Sequence, residues 1–451
     1  MPHLTRPGRY CLAITLSAVA LSGCVGRGPP TARPAEDEVS QPVDATSAVT
    51  ASIGTASTAT ASTGTVESGD DATAAEFTRS LFADLPGDEP GCSVAVARDE
   101  AVVFAEAYGA ARLDPFEPMT VDTVVDIASV SKQFTATAIL LLAERGAVDL
   151  DAPLSTYLPD LPDRASQTTV AELIHHQSGI PDYIDLLVDR GFVVTGSSPT
   201  VDDALAALGD VVDLEFAPGT SWEYSNSNYF LLSQVVQAVT GDDLGAFLAA
   251  EVFVPLDLDM VMDPIAAIED KAVSYERVGG AWEVADSRWE PTIGSGSIQT
   301  TPSELVAWAA QYWEPTIGAT TIDAERFDAA ADTGQGPTYG AGIYDFDFGG
   351  DVGRILTHDG AWGGFRTVFS VAPDHHVAVR SAVRAPPRSQ TLATPGRSTA
   401  ICSPPGSATT ETAPLTVEVG GVFEVRHNPA VAHALGRATA RVNRPDTRSV
   451  D

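Results

Sequence analysis

At 451 residues and a 44 % hydrophobic share, the chain can hold one large catalytic domain or two to three of average size. Its 26 basic residues face 61 acidic ones, a formal net charge of −35. That balance excludes the clustered Lys and Arg that hold a phosphate backbone or an anionic lipid surface, so neither nucleic acid nor electrostatic adhesion to a membrane is expected.

In chain order, Arg6 and Arg9 precede an apolar run over 11–20, of signal-peptide length and too short to span a bilayer. Leu21-Ser22-Gly23-Cys24 follows, and it looks like a bacterial lipobox. Cleavage before Cys24 would leave a thiol to carry lipid chains, each buried methylene contributing roughly 0.8 kcal/mol; the other reading is an ordinary secretory leader with a chance cysteine. Either way residues 1–23 form an export leader. Residues 24–75 are Ala, Thr, Ser, Gly and Pro with scattered acids; such a stretch cannot bury enough surface to offset chain entropy and reads as a flexible tether.

Order is expected from 76 to 383. An amphipathic helix is predicted over 75–85, then a hairpin of strands over 92–97 and 101–107 joined by Arg98-Asp99-Glu100. A helix from Ser129 to Ala143 is apolar almost all round and should be buried, with Gly146 as its stop. From 152 to about 310 the chain reads as mostly helical, with clear segments over 170–176, 201–208, 229–239 and 302–312. Strands return over 354–358, 364–371 and 376–383. Strands, a helical middle and strands again predict an α+β architecture whose two ends complete one antiparallel sheet.

Beyond Val383 the composition changes. Residues 380–451 hold nine Arg and five acids, and the segment 384–451 is rich in Pro, Ser, Thr and Ala without a helical period. It reads either as a disordered tail or as the product of a lost reading frame. Arg380 also interrupts what should be an apolar strand. The four cysteines, at 11, 24, 92 and 402, form no CxxC pair and no metal-like spacing; Cys92 sits in an alternating strand and reads as a small buried hydrophobe. No cluster has ligand spacing, so no metal or organic cofactor is implied.

Three motifs carry chemistry. In Ser129-Val130-Ser131-Lys132, positions i and i+3 share a helical face, so Lys132 can reach the Ser129 hydroxyl and take its proton if burial depresses its pKa. Only Lys132 and Lys271 among the 26 basic residues are lysines, and lysine, unlike arginine, can lose a proton when buried. In Tyr224-Ser225-Asn226, a tyrosine beside a cationic lysine ionises more easily and can serve as a base, while Asn226 offers a donor and an acceptor to a substrate amide. In His358-Asp359-Gly360-Ala361, placed after a strand, Gly360 lets substrate backbone approach, and the N–H groups of Ser129 and Ala361 can face a developing oxyanion.

Together these motifs, with Leu173-Ile-His-His-Gln-Ser-Gly-Ile-Pro-Asp182, Pro218-Gly-Thr-Ser-Trp-Glu-Tyr-Ser-Asn226 and Gly294-Ser-Gly-Ser-Ile298, resemble the serine β-lactamase and D-alanyl-D-alanine carboxypeptidase superfamily over some 300 residues, nearest its class C β-lactamase and esterase branch. The Ser-x-x-Lys signature belongs to those enzymes. The resemblance implies an acyl-enzyme on Ser129, Lys132 and Tyr224 sharing the base role, and Asn226, His358, Gly360 and Arg366 contacting substrate. His358 stands where many members carry the Lys of Lys-Thr-Gly; a neutral imidazole anchors a substrate carboxylate more weakly than an ammonium, and Arg366 is the candidate to compensate. The implied protein is an exported lipoprotein serine hydrolase acting on an amide, ester or β-lactam. Its partners would be a small-molecule or peptide substrate, peptidoglycan fragments included, and the membrane through the lipid anchor alone. A catalytically silent cell-wall-binding lipoprotein is the alternative.

Overall fold

The computed structural model describes residues 69–83, 85–318 and 326–384, with a strand pair at Glu418–Val419 and Phe423–Glu424. The leader, Cys24, the tether as far as 68 and nearly all of the tail lie outside the described residues. Helix α1 spans Gly69–Phe82, so order begins before the predicted 76. Ala72, Ala74 and Ala75 have the highest helix propensity. It ends before the predicted 85 because Pro86 bars α geometry in the residue before it.

The main sheet has eight antiparallel strands: β1 Cys92–Arg98, β2 Ala101–Tyr108, β3 Ala331–Asp332, β4 Thr338–Tyr339, β5 Tyr344–Asp347, β6 Arg354–Trp362, β7 Phe365–Ala372 and β8 Val377–Arg384. Their spatial order is β3-β4-β5-β6-β7-β8-β1-β2. The last strand of the domain thus pairs with the first, Val96 opposite Val379, as the predicted closure by both chain ends requires. Asp99 and Glu100 close the β1–β2 hairpin with positive φ at both positions, the turn whose twist matches the flanking strands.

Both faces of β1 are covered. Cys92 and Val94 pack with Ala75, Phe82 and Phe104 under α1, and Cys92 is buried as expected. Ala95 and Ala97 join the large core on the opposite face, where α2 (Lys132–Glu144) is buried on all sides from Lys132 to Leu142. Two further helices, α3 (Asn226–Thr240) and α4 (Pro302–Trp308), contribute Tyr229, Phe230, Leu305 and Trp308 to the same core. No helix among the described residues is long and apolar enough to cross a membrane.

Two expectations need correction. The middle segment contains a hairpin, Tyr275–Val278 paired with Ala281–Val284, turned by Gly279-Gly280 at positive φ; that turn signal lay inside a stretch read as helical. Strand β6 also runs to Trp362, so His358, Asp359 and Gly360 lie within a strand and not after one.

Candidate active site

The nucleophile turn is held from both sides. Val125 and Asp126 pair with Thr300 and Gln299, and a single 3₁₀ turn, Ala128–Ser131, then runs into α2. Ala128 adopts φ +47°, a conformation disfavoured for an L-residue and sustained only where surroundings over-determine it. Here the Asp126 carboxylate accepts the Ala128 N–H at 2.7 Å and the Gln299 amide at 3.0 Å. Burial raises the Asp126 pKa, and Lys271, the other lysine of the chain, is the first influence opposing that shift. Ser131 accepts the Ile298 N–H at 3.1 Å. Ser129 is left partly exposed at the helix entrance.

Lys132 is fully buried. Its Nζ lies 3.1 Å from Ser129 Oγ, 2.8 Å from Asn226 Oδ1 and 2.6 Å from the Ser295 carbonyl. Burial lowers its pKa to about 7, against the opposing charges of Asp182 and Asp359. A neutral amine has two N–H bonds and one lone pair. With Asn226 and Ser295 accepting the two protons, the lone pair is directed at Ser129 Oγ, which is what general-base activation of a hydroxyl needs.

Asn226 is bonded to the lysine. Its Oδ1 accepts from Lys132, and its Nδ2 and backbone N–H both donate to Asp182 Oδ2 at 2.8 Å. Asp182 caps the helix Tyr183–Asp189 through the Ile184 N–H; burial raises its pKa, and the bonds from Asn226 oppose that rise. It fixes the orientation of the Asn226 amide.

Tyr224 reaches the same point from the loop before α3. Ser129 is among the groups that act on its hydroxyl, and Lys132 Nζ lies 4.8 Å from its ring centroid. Its ring packs on His176 at 4.4 Å. His176 Nδ1 accepts from the Ser225 N–H at 3.2 Å and the Asn228 amide at 2.9 Å, which leaves the ring neutral and fastens the Tyr224-Ser225 segment. Burial holds the Tyr224 hydroxyl well above the usual tyrosine range, with Ser129 working the other way. The expected easing of its ionisation by the lysine is outweighed by desolvation, because a phenolate in this enclosed place loses more hydration than a lysine near half-protonation returns.

The third wall is β6. Gly360 is required by packing: a Cβ there would stand 2.2 Å from the Ile127 carbonyl oxygen and 3.2 Å from Ala128 Cβ. Its smallness seats the strand against the nucleophile turn. Trp362 and Phe365 close a two-residue hairpin, so by alternation the Ala361 N–H faces away from β7, toward the edge that β5 leaves open beyond Thr357. With the Ser129 N–H, which has no intrahelical acceptor in a first turn, it is placed to receive an oxyanion.

His358 is buried, accepts from the Tyr339 hydroxyl at 3.1 Å and donates through Nδ1 to the Asp359 carbonyl at 2.6 Å. Burial, then Lys132, lowers its pKa to about 3, so it is neutral and occupied on both nitrogens. Arg366, the candidate to compensate, turns toward the hairpin. Its Nη1 donates to the Gly363 and Phe365 carbonyls at 2.9 and 2.7 Å, because its place opposite Ala361 in the register puts it beside the hairpin turn.

Ser129, Lys132, Tyr224 and the Ala361 backbone are thus brought together, while Asn226, His358 and Gly360 support them. Asp182, His176 and the Ser295 carbonyl were not assigned roles by sequence reasoning. Asp182 had one local signal, its helix-capping place before Tyr183; nothing local marks His176 or the Ser295 carbonyl.

A lysine tuned by burial thus lies one turn from a serine, between an end-closed sheet and a helical lobe. Residues 78–391 match the family described as Beta-lactamase, and the chain belongs to that family. It is 23 % identical over 307 residues to penicillin-binding protein 4* of Bacillus subtilis (strain 168), covering 63 % of this chain and 65 % of that one. It is 31 % identical over 316 residues to the D-aminopeptidase of Brucella anthropi, covering 66 % and 56 % respectively; the chain thus spans between half and two thirds of these relatives. The fold matches a D-stereospecific amidohydrolase from Streptomyces sp. with TM-score 0.58 at 21 % identity, covering 68 % of this chain and 92 % of that one. It also matches the D-amino acid amidase from Ochrobactrum anthropi SV3 with TM-score 0.56 at 23 % identity, covering 65 % and 85 %.

Proposed function

We propose that this chain is an exported serine hydrolase that forms an acyl-enzyme on Ser129 and acts on an amide or ester bond. The contact that carries the reading is Lys132 Nζ to Ser129 Oγ at 3.1 Å, made by a lysine whose other two bonding directions are already taken. With a pKa of about 7, roughly half of Lys132 is neutral at pH 7 and can accept the hydroxyl proton as Ser129 attacks the carbonyl. The oxyanion is received by the N–H groups of Ser129 and Ala361. Tyr224, held in its protonated form, is the donor to the departing amine or alcohol, its proton restored from Lys132. The base role that the resemblance gave to both residues is divided between them. Water then enters by the reverse route and releases the acid.

A neutral His358 supplies no charge for a substrate carboxylate, which weighs against β-lactams and terminal D-Ala peptides as preferred substrates; the relatives named D-aminopeptidase and amidase point to amides. The leader and Cys24 support placement outside the cytoplasm on a lipid anchor, and residues 25–68 support a tether. A silent wall-binding protein would have no use for a lysine held in this bonding pattern.

A fluorophosphonate probe is expected to label the wild-type chain at Ser129 and to leave Ser129→Ala unlabelled, read by mass spectrometry of the modified peptide. Absence of label on cooperatively folded wild-type protein overturns the reading.

A further inference from the structure

The scissile carbonyl is confined between Ser129 Oγ and the Ala361 N–H, so a substrate bound there extends along the part of β6 that follows Thr357, where β5 provides no partner. The side chains along that stretch alternate: His358 and Gly360 are buried against the helical side, whereas Asp359 and Ala361 are exposed. Asp359 and Ala361 share a face of the strand, about 7 Å apart along it. Among the described residues the Asp359 carboxylate forms no ion pair and no bond to another side chain; its own backbone N–H is the one hydrogen-bond influence on it. Arg366, diagonal to it in the β6–β7 register, is held by the hairpin carbonyls.

An open carboxylate two residues from an oxyanion donor meets whatever the substrate carries beside its reacting carbonyl. We propose that Asp359 sets the charge specificity of this site: it receives an ammonium borne by the substrate next to the scissile bond and turns away substrates that present a carboxylate there. The inference rests on the acyl-transfer reading of Ser129 and adds the substrate's charge to it. Burial raises the Asp359 pKa, and its own backbone N–H, then Lys132 and Arg366, oppose that rise; Asp359 in turn favours the charged form of Lys132. Its field thus reaches the centre of the site.

The test compares three racemic p-nitroanilides that differ only in the group on the carbon beside the carbonyl: ammonium in the alanine anilide, hydroxyl in the lactic anilide, carboxylate in the methylmalonic mono-anilide. Ratios of kcat/KM at one pH cancel any change in Lys132 protonation, because it scales all three substrates alike. The full chain is expected to favour the ammonium over the hydroxyl compound about 10- to 100-fold, the range of a hydrogen bond between charged groups, and the carboxylate compound least. Asp359→Asn should bring the three within a few-fold of one another while still labelling with fluorophosphonate. Unchanged ratios in Asp359→Asn, or a wild-type preference for the carboxylate, overturn the proposal and leave the hydrolase reading standing. If no anilide turns over but the label attaches, protection of Ser129 from the probe by the three compounds is ranked instead, with the same order expected. No turnover and no label removes both readings.

Discussion

The smallest unit of function here is a direction of a lone pair. Lys132 points its free electron pair at Ser129 only because Asn226 presents oxygen to it and not nitrogen. Asp182 enforces that choice by accepting from the backbone N–H and from Nδ2 of Asn226 on one oxygen while its other oxygen caps Ile184. In Asp182→Asn an NH₂ replaces one of those oxygens, so either the cap or the hold on Asn226 is lost. We expect the plateau kcat to fall about 100-fold, the cost of a small displacement of a catalytic group, with KM changed far less. The pH dependence supplies a signature that general damage would not produce. Lys132 must be neutral to act, so wild-type kcat/KM should climb with pH and level off above about 7. Asp182 is the first charge favouring the protonated lysine; removing it should shift that rise to lower pH. A rise that stays in place, measured over pH 5–9 on a neutral ester, would refute the arrangement.

At the scale of elements, catalysis depends on how closely strand β6 seats against the turn before α2. The strained Ala128 is held by Asp126 on one side and touched by the strand on the other. Gly360→Ala inserts a methyl where 2.2 Å separates it from the Ile127 oxygen, an atom of the backbone that cannot swing aside. The strand must move off, carrying the Ala361 N–H with it. Destabilisation of about 1–3 kcal/mol, read by urea unfolding, should accompany loss of fluorophosphonate labelling in protein that still unfolds cooperatively. Retained labelling would mean that the strand does not hold the oxyanion donor. The pattern of this segment was only partly legible. Sequence placed the glycine and the histidine beside the site; the packing of the glycine against Ile127 escaped it, because a contact between segments some 230 residues apart leaves no local trace.

At the scale of the whole molecule, β8 closes the sheet by joining β7 to β1, and it does so with an arginine in the core. Arg380 is fully buried and donates to Ser93 Oγ at 3.0 Å, while its Nε and Nη2 find no partner among the described residues. Burial lowers its pKa to about 9, the mark of a charge held where hydration is poor. The sequence had singled out this residue as out of place in an apolar strand, and its surroundings agree. Arg380→Met fills the same volume without an unsatisfied donor, and should stabilise the domain by about 1–3 kcal/mol, measured as a rise in the urea midpoint at pH 7. A loss of stability would show that the guanidinium is better satisfied than its contacts indicate.

The sequence by itself determined most of the elements, the order of the motifs and the candidate nucleophile with its lysine, because these rest on short-range facts: alternation in strands, an apolar helix, and a three-residue spacing that puts two side chains on one face. It also set the acidic stretch apart from the segments expected to be leader, tether and tail. Only the tertiary structure decided the rest. Which proton acceptor operates depends on desolvation, and burial moved Lys132 and Tyr224 in directions that leave one neutral and basic and the other protonated. The roles of Asp182, His176 and the Ser295 carbonyl arise from contacts across 44 to 163 residues of chain, and such contacts exist only once the sheet and the helical lobe have closed on each other.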